Sequence, residues 1–151
     1  MLKNPDDDAI RAIFTSTRVI AVVGASANPM RPSHYVGQFL RSLGYRVIGV
    51  NPGLVGQTLY GEPVYAALTD IPADVQVDMI DIFRNSDAVP EVVDQALAMQ
   101  GHPLRTVWMQ IGVVNEPAAA RARSAGMTVV QNKCPKIEIP HLFDHSPLQN
   151  A

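Results

Sequence analysis

A single cysteine, Cys134, in 151 residues leaves the chain no internal disulfide to form. A reducing cytoplasm is the expected location, and the opening Met1-Leu2-Lys3-Asn4-Pro5, without the apolar core of a secretory signal, fits it. Long apolar runs are missing too. Val19 to Val23 is strand-sized, against the roughly 20 residues of a membrane-spanning helix. No membrane partner is expected. Basic charge is not in excess either: 12 Lys plus Arg against 14 Asp plus Glu give a net charge of -2. Nucleic acid, which is bound through basic patches, is therefore disfavoured as a partner. The run Asp6-Asp7-Asp8 reads as a first helical turn, where carboxylates suit the macrodipole. His34, His102, His141 and His145 show no H-x-x-x-H on a predicted helix and no companion cysteines, so no metal is expected.

What is present is 47% hydrophobic residues with 17% charged ones, enough for one ordinary core. The expectation is a single domain over residues 1–151. Its core spans about 15–138, behind a helix at about 5–16 and ahead of an irregular tail at about 139–151. Short β-branched runs alternate with amphipathic stretches, the pattern of βα units around a parallel sheet. Asn4 is expected to cap the first helix, with Pro5 at its first position and Ile10, Ile13 and Phe14 on one face.

Strands are predicted at Val19–Val23, Arg46–Val50, near Pro63–Tyr65, at Val77–Phe83, Thr106–Ile111 and Met127–Val130. Between them, Ser33 is expected to cap a helix carrying Val36, Phe39, Leu40 and Leu43, closed by Gly44. Gly37, inside that helix, is read as a place where the helix approaches the sheet closely. A brief helix ends near Asp70, another carries Val89, Val92, Val93, Ala96 and Leu97, and Asn115 caps a fourth. Right-handed crossovers give an α/β fold: a Rossmann-like, doubly wound, mostly parallel sheet in three α/β/α layers. The strand order is expected to be 3-2-1-4-5-6, with ligand loops after the first and fourth strands.

The loop Gly24-Ala25-Ser26-Ala27-Asn28-Pro29-Met30-Arg31-Pro32-Ser33 leaves a buried strand and enters a helix amino terminus, where unpaired N–H groups favour an anion. Gly24 permits close backbone approach, Ser26, Asn28 and Ser33 add hydrogen-bonding side chains, and Arg31 adds a fixed positive fork. A phosphate-bearing ligand follows. Neither G-x-G-x-x-G nor G-x-x-x-x-G-K-[ST] occurs, and the second strand ends in Asn51 instead of the acid that receives an NAD ribose.

The strings Gly24-Ala25-Ser26-x-Asn28-Pro29-x-Arg31-Pro32-Ser33, Gly44-Tyr45-Arg46-Val47, Val50-Asn51-Pro52, Asp81-Ile82-Phe83-Arg84 and Trp108-Met109-Gln110-Ile111-Gly112 carry a resemblance. From Thr15 to Glu138 the chain resembles the small stand-alone CoA-binding protein family, similar in fold to the amino-terminal domain of the succinyl-CoA synthetase alpha subunit. Gly49-Val50-Asn51 departs mildly, where a proline often precedes the valine. The resemblance implies coenzyme A or an acyl-CoA as ligand. Gly24, Ala25, Ser26, Asn28, Arg31 and Ser33 would cradle the diphosphate, with Asn51 and Pro52 bordering the adenosine. Phe83, Arg84 and Val89 would line the fourth-strand side, and Gln110, Ile111 and Gly112 would follow the pantetheine arm. Arg31 and Arg84 suit a pyrophosphate and a ribose 3'-phosphate, in either assignment. Phe83 and Pro52 read equally as flat surfaces for an adenine or as end-of-strand packing.

Other signals read as structural. Cys134, beside Lys133 and Lys136, is either a redox thiol able to join CoA in a mixed disulfide or a small buried hydrophobe, and the second reading is preferred. Asp78 and Asp81 point to opposite faces of a strand, and Trp108 belongs to the core. The chain has no phosphohistidine or nucleotide-partner domain of a ligase and no visible catalytic constellation. The sequence reading is thus non-covalent binding of CoA or an acyl-CoA, with no self-contained catalytic site evident and ligase activity by the chain alone not expected. Its alternative is an NAD(P)-binding oxidoreductase or redox sensor with a divergent phosphate loop. A protein partner leaves no trace in the sequence.

Overall fold

Strand β1 (Val19–Val23) is apolar throughout, so it needs cover on both faces, and it sits inside the sheet. The computed structural model describes residues 2–149, so Met1, Asn150 and Ala151, the ends of the expected domain and tail, lie outside the described residues. β1 pairs in parallel with β2 (Arg46–Val50) on one side and β5 (Met79–Ile82) on the other. The sheet continues through β6 (Thr106–Met109) to β7 (Thr128–Val130), giving the order β2-β1-β5-β6-β7. Winding therefore reverses between β1 and β5, which opens a crevice at their carboxyl ends.

The period-2 alternation sends Ala21, Val23, Ile80 and Ile82 to one face, against Val89, Val92 and Val93 of α3 (Val89–Leu97) and the alanines of α4 (Glu116–Ser124). Ile20, Val22, Met79 and Trp108 face the other way. They meet α1 (Asp7–Ser16), α2 (Pro32–Ser42) and α5 (Pro135–Leu142), the second helical layer. Side chains such as Val36 and Leu40, wholly buried, each contribute about 1.5–3 kcal/mol of burial. The doubly wound three-layer fold is as the sequence indicated.

Several local expectations give way to better-paired alternatives. Asp6, not Asn4, caps α1, its carboxylate accepting the Ala9 N–H at 2.9 Å. Asn4 instead binds the backbone of Gln131 twice: its amide N–H donates to the carbonyl, and its oxygen accepts the N–H, both at 2.8 Å. α2 begins one residue before Ser33, because Pro32 takes the first position, where its missing N–H costs nothing. Leu97, expected in the α3 stripe, is exposed. The tail is helical from Pro135 to Leu142: Ile139 and Leu142 bury against the α1–α2 layer, and this outweighs Pro140 inside the helix.

The expected third strand is absent from the sheet. β3 (Thr58–Leu59) and β4 (Glu62–Pro63) form a separate antiparallel hairpin, turned by Tyr60 and Gly61 at positive φ. Pro63 has no N–H to offer a ladder. Of the expected strand, Tyr65 pairs with the sheet, through a parallel bridge to Val50. The hairpin carries Tyr60 onto Gly37, where any β-carbon would lie 2.5 Å from the ring, and the phenol donates to the Ser33 carbonyl at 2.6 Å. The neighbour pressed against Gly37 is thus an aromatic ring of the hairpin and not the sheet, as expected, and its phenol pins the start of α2.

Candidate functional site

Above the carboxyl ends of the strands lies a cavity of about 1090 Å³, just above the roughly 300–1,000 Å³ usual for small-ligand sites. Gly24, Ala25, Ser26, Arg31, Ser33, Asn51, Phe83, Arg84, Gln110, Ile111 and Gly112 line it, drawn together from four separate loops. Pro52 lies on an adjoining cavity of about 560 Å³, which shares Gly24, Asn51 and Arg84 with the first. Asn28 and Val89 line neither. Asn28 shapes the loop, its side-chain oxygen accepting the Met30 N–H at 3.0 Å, and Val89 is wholly buried in the α3 face of the core.

The loop after β1 is built mainly from its own hydrogen bonds. Gly24 and Ala25 give their N–H groups to the Val50 carbonyl at 3.0 and 3.2 Å. Asn51 donates to the Ala25 carbonyl at 2.8 Å and accepts the Gly53 N–H at 2.8 Å, so its amide locks the β1 and β2 loops together. Gly24 is required by structure before any ligand arrives. Its φ is +87°, and a β-carbon there would stand 2.5 Å from the Phe83 carbonyl oxygen. In the first turn of α2, His34 and Tyr35 bond back to Arg31, and Pro32 has no N–H. The Ser33 N–H is left without an acceptor among the described residues.

Electrostatics distinguish this rim. Arg31, Arg84 and Lys136 line the large cavity, no Asp or Glu does, and none of the three joins an ion pair among the described residues. Lys136 rests over the Phe39 ring, 5.0 Å from its centre. On a chain of net charge -2, such a cluster of unneutralised cations favours an anion.

Sequence reasoning missed several members. Lys136 was noted only as a neighbour of Cys134, although it and Cys134 both line the cavity from the start of α5. Ser86, which nothing in the sequence singles out, also lines the cavity, and Asn132 supports that wall from behind. The Ser86 hydroxyl accepts the Val114 N–H at 3.0 Å, and Asn132, at positive φ, accepts the Gly112 N–H at 2.8 Å. These bonds tie the loops after β5, β6 and β7 into one wall. An asparagine tolerant of left-handed backbone was the available signal.

The two aspartates are far apart in role. Asp78, just ahead of β5, accepts the N–H groups of Arg18 and Val19, while Asp81 lies inside the sheet, wholly buried, with both oxygens unpartnered. Burial pushes the Asp81 carboxyl well above the usual carboxylate range. Trp108 is buried and donates to the Lys133 carbonyl at 2.8 Å, as a core residue should. His34 braces the β1 loop through the Ser26 carbonyl at 2.8 Å. Among the described residues no group of His, Cys, Asp and Glu is placed to hold a metal, and no helix is long and apolar enough to cross a membrane.

The fold is a Rossmann-like, doubly wound sheet with a cationic crevice at its switch point. The chain belongs to the CoA binding domain family, whose model matches residues 18–140. It is 32% identical over 136 residues to the uncharacterized protein YneT of Bacillus subtilis, covering 90% of this chain and 96% of that protein. Among solved structures, the cell-free ID.343 protein of Thermus thermophilus is 36% identical, with a TM-score of 0.85, over 92% of this chain and all (100%) of that one. The dinucleotide forming acetyl-coenzyme A synthetase 1 of Ca. Korarchaeum cryptofilum is 26% identical, with a TM-score of 0.62, and the match covers 80% of this chain but 27% of that enzyme.

Proposed function

We propose that this protein binds coenzyme A, or an acyl-CoA, non-covalently in the cavity above β1, β5 and β6, in the cytoplasm. The observation that carries the reading is the set of unpaired cations, Arg31, Arg84 and Lys136, around a cavity with no acidic lining. Membership of the CoA binding domain family supports it. In this reading the Gly24–Ser33 loop and the Ser33 N–H receive the diphosphate. The smaller cavity, bordered by Asn51 and Pro52, receives the adenosine. Phe83 and Arg84 flank the β5 side, and the pantetheine arm passes Gln110, Ile111 and Gly112. Asn28 and Val89 act at one remove, through the loop and through α3. The function is to hold the cofactor, with no catalytic step assigned to the chain.

Titration calorimetry tests the reading. CoA should bind more tightly than NAD, NADP or ATP, since Asn51 spends its amide on the loops and offers no ribose carboxylate. Loss of the 3'-phosphate, in 3'-dephospho-CoA, should weaken binding by roughly 1.5–3 kcal/mol. NAD binding as tightly as CoA would overturn the proposal in favour of a nicotinamide dinucleotide.

A further inference from the structure

Three of the seven large hydrophobic side chains exposed among the described residues, Tyr35, Ile111 and Ile137, line the large cavity. They come from separate elements: the first turn of α2, the loop after β6 and the first turn of α5. Single apolar side chains at a surface need no explanation, but a group sharing one concave wall marks a binding surface. The core does not account for them. In α2 the buried stripe includes Val36, Gly37 and Leu40, and in α5 it is Pro135, Ile139 and Leu142. Tyr35 and Ile137 therefore stand on outward helix faces, where polar residues are usual.

The backbone holds the two isoleucines in place. The Val113 N–H closes on the Gln110 carbonyl at 2.9 Å, a turn with Ile111 and Gly112 at its corners and Gly112 at a φ of +85°. The Gly112 N–H is tied in turn to Asn132 at 2.8 Å, so Ile111 is fixed at the rim, more than half exposed. On α5 the neighbours of Ile137 are engaged elsewhere: Lys136 rests over the Phe39 ring, and Glu138 lies 3.8 Å from Lys133. No carboxylate joins Ile137 on the cavity wall. Arg31 and Arg84 stand at the β1 and β5 ends and the two isoleucines at the β6 and β7 ends, which gives the cavity an arginine side and an apolar side.

We propose that the apolar side receives the acyl chain of a CoA thioester, so that the ligand class is an acyl-CoA with a hydrocarbon acyl group, an inference that rests on the CoA reading above. From the β1 end to the β7 end is three strand spacings, or about 14 Å at the usual inter-strand distance. The pantetheine arm joins phosphate to sulfur through about 13 bonds, on the order of 15 Å when extended at a peptide-like rise per bond. A diphosphate at the β1 loop and an arm laid across the strand ends bring the thioester to the apolar side, with the acyl carbons beside Ile111 and Ile137. Free CoA ends at its thiol and leaves those side chains in water. An acyl group ending in a carboxylate would bring a charge onto them, whose desolvation they do not offset. Lys136, next to Ile137 in the chain, would favour the opposite choice, so succinyl-CoA is the competing ligand.

The test is calorimetry with CoA and with acetyl-, butyryl-, hexanoyl-, octanoyl- and succinyl-CoA. A fully buried methylene is worth about fourfold in affinity, and about twofold is expected on this open wall, so octanoyl-CoA should bind at least tenfold more tightly than acetyl-CoA. Butyryl-CoA should bind more tightly than succinyl-CoA, which has the same number of acyl carbons. Ile137→Ser should cut the octanoyl advantage at least threefold and leave the affinity for CoA itself unchanged, while Ile137→Leu should keep the advantage. If CoA binds but the octanoyl advantage is smaller than tenfold, or is not cut in Ile137→Ser, or succinyl-CoA binds more tightly than butyryl-CoA, the acyl-chain inference is refuted while CoA binding stands. If neither CoA nor any thioester binds, both readings fall.

Discussion

The two ends of the sheet carry similar side chains in opposite states of satisfaction. At the amino end, Asp78 accepts two backbone N–H groups and lies 3.7 Å from the Arg105 guanidinium. His102 Nδ1 accepts the Val77 N–H, which leaves Nε2 to donate to the Ile71 carbonyl, and Arg46 forks onto Glu62. At the carboxyl end, Arg31, Arg84 and Lys136 face a cavity without a carboxylate, and Gln110 keeps an unpaired oxygen. Charged and polar residues whose needs are met within the fold hold it together. The cations left unpaired at the carboxyl end gather around the cavity. Composition alone does not separate the two groups.

The largest expected effect would break the division: a cavity residue whose loss is felt by the whole fold. Gly24→Val must place a branched side chain at positive φ against the Phe83 carbonyl, which should cost about 2–5 kcal/mol and show as a sharply lowered Tm. Retained stability would mean the β1–β5 contact is loose. Asp78→Ala, at the other end, orphans the N–H groups of Arg18 and Val19. Unfolding in urea should reveal a loss of about 1–3 kcal/mol, with CoA affinity unchanged.

Arg31→Ala should do the converse, weakening CoA binding by about 1.5–3 kcal/mol in calorimetry while leaving the Tm in place, with a smaller gap at high salt. Asp81 sharpens the comparison through pH. Its folded-state pKa is raised by burial, so the folded form holds its proton more tightly than the unfolded chain. Stability from this group is therefore complete below about pH 4 and falls as pH climbs toward the folded value. Urea titrations across pH should show a shallower decline in Asp81→Asn. Smallest of all, Glu62→Gln removes a surface partner of Arg46, and the change should stay within about 1 kcal/mol.

Much of this was legible because single-sequence patterns report buried faces well. β1 and the α3 stripe were read from apolar spacing, and the Asn115 cap from one side chain that does accept the Ala118 N–H at 3.0 Å. The cavity-lining residues were legible for a different reason: in a doubly wound sheet, topology places strand ends together whatever their loops contain. Partners distant in sequence were not legible. Asn4 meets Gln131 across 127 positions, and no local rule predicts that pairing over a cap three residues away. The Tyr60 hairpin escaped because Pro63-Val64-Tyr65 has strand composition, although Pro63 cannot pair as an interior strand must. Lys136 and Cys134 line the site from the start of α5, a helix the sequence reading left as irregular tail from residue 139, where Pro140 counts as a breaker.

The Asn4 amide has a consequence beyond holding the first segment. β7 is an outermost strand of the sheet, and such a strand normally shows a row of free donors and acceptors that invites a neighbouring chain to add itself. By offering one N–H and one oxygen at strand geometry to Gln131, the side chain imitates a single residue of that intruder and occupies its place. Asn4→Ala would expose the end of β7 as a seed for self-association, so light scattering on warming should detect aggregation earlier than in the parent chain.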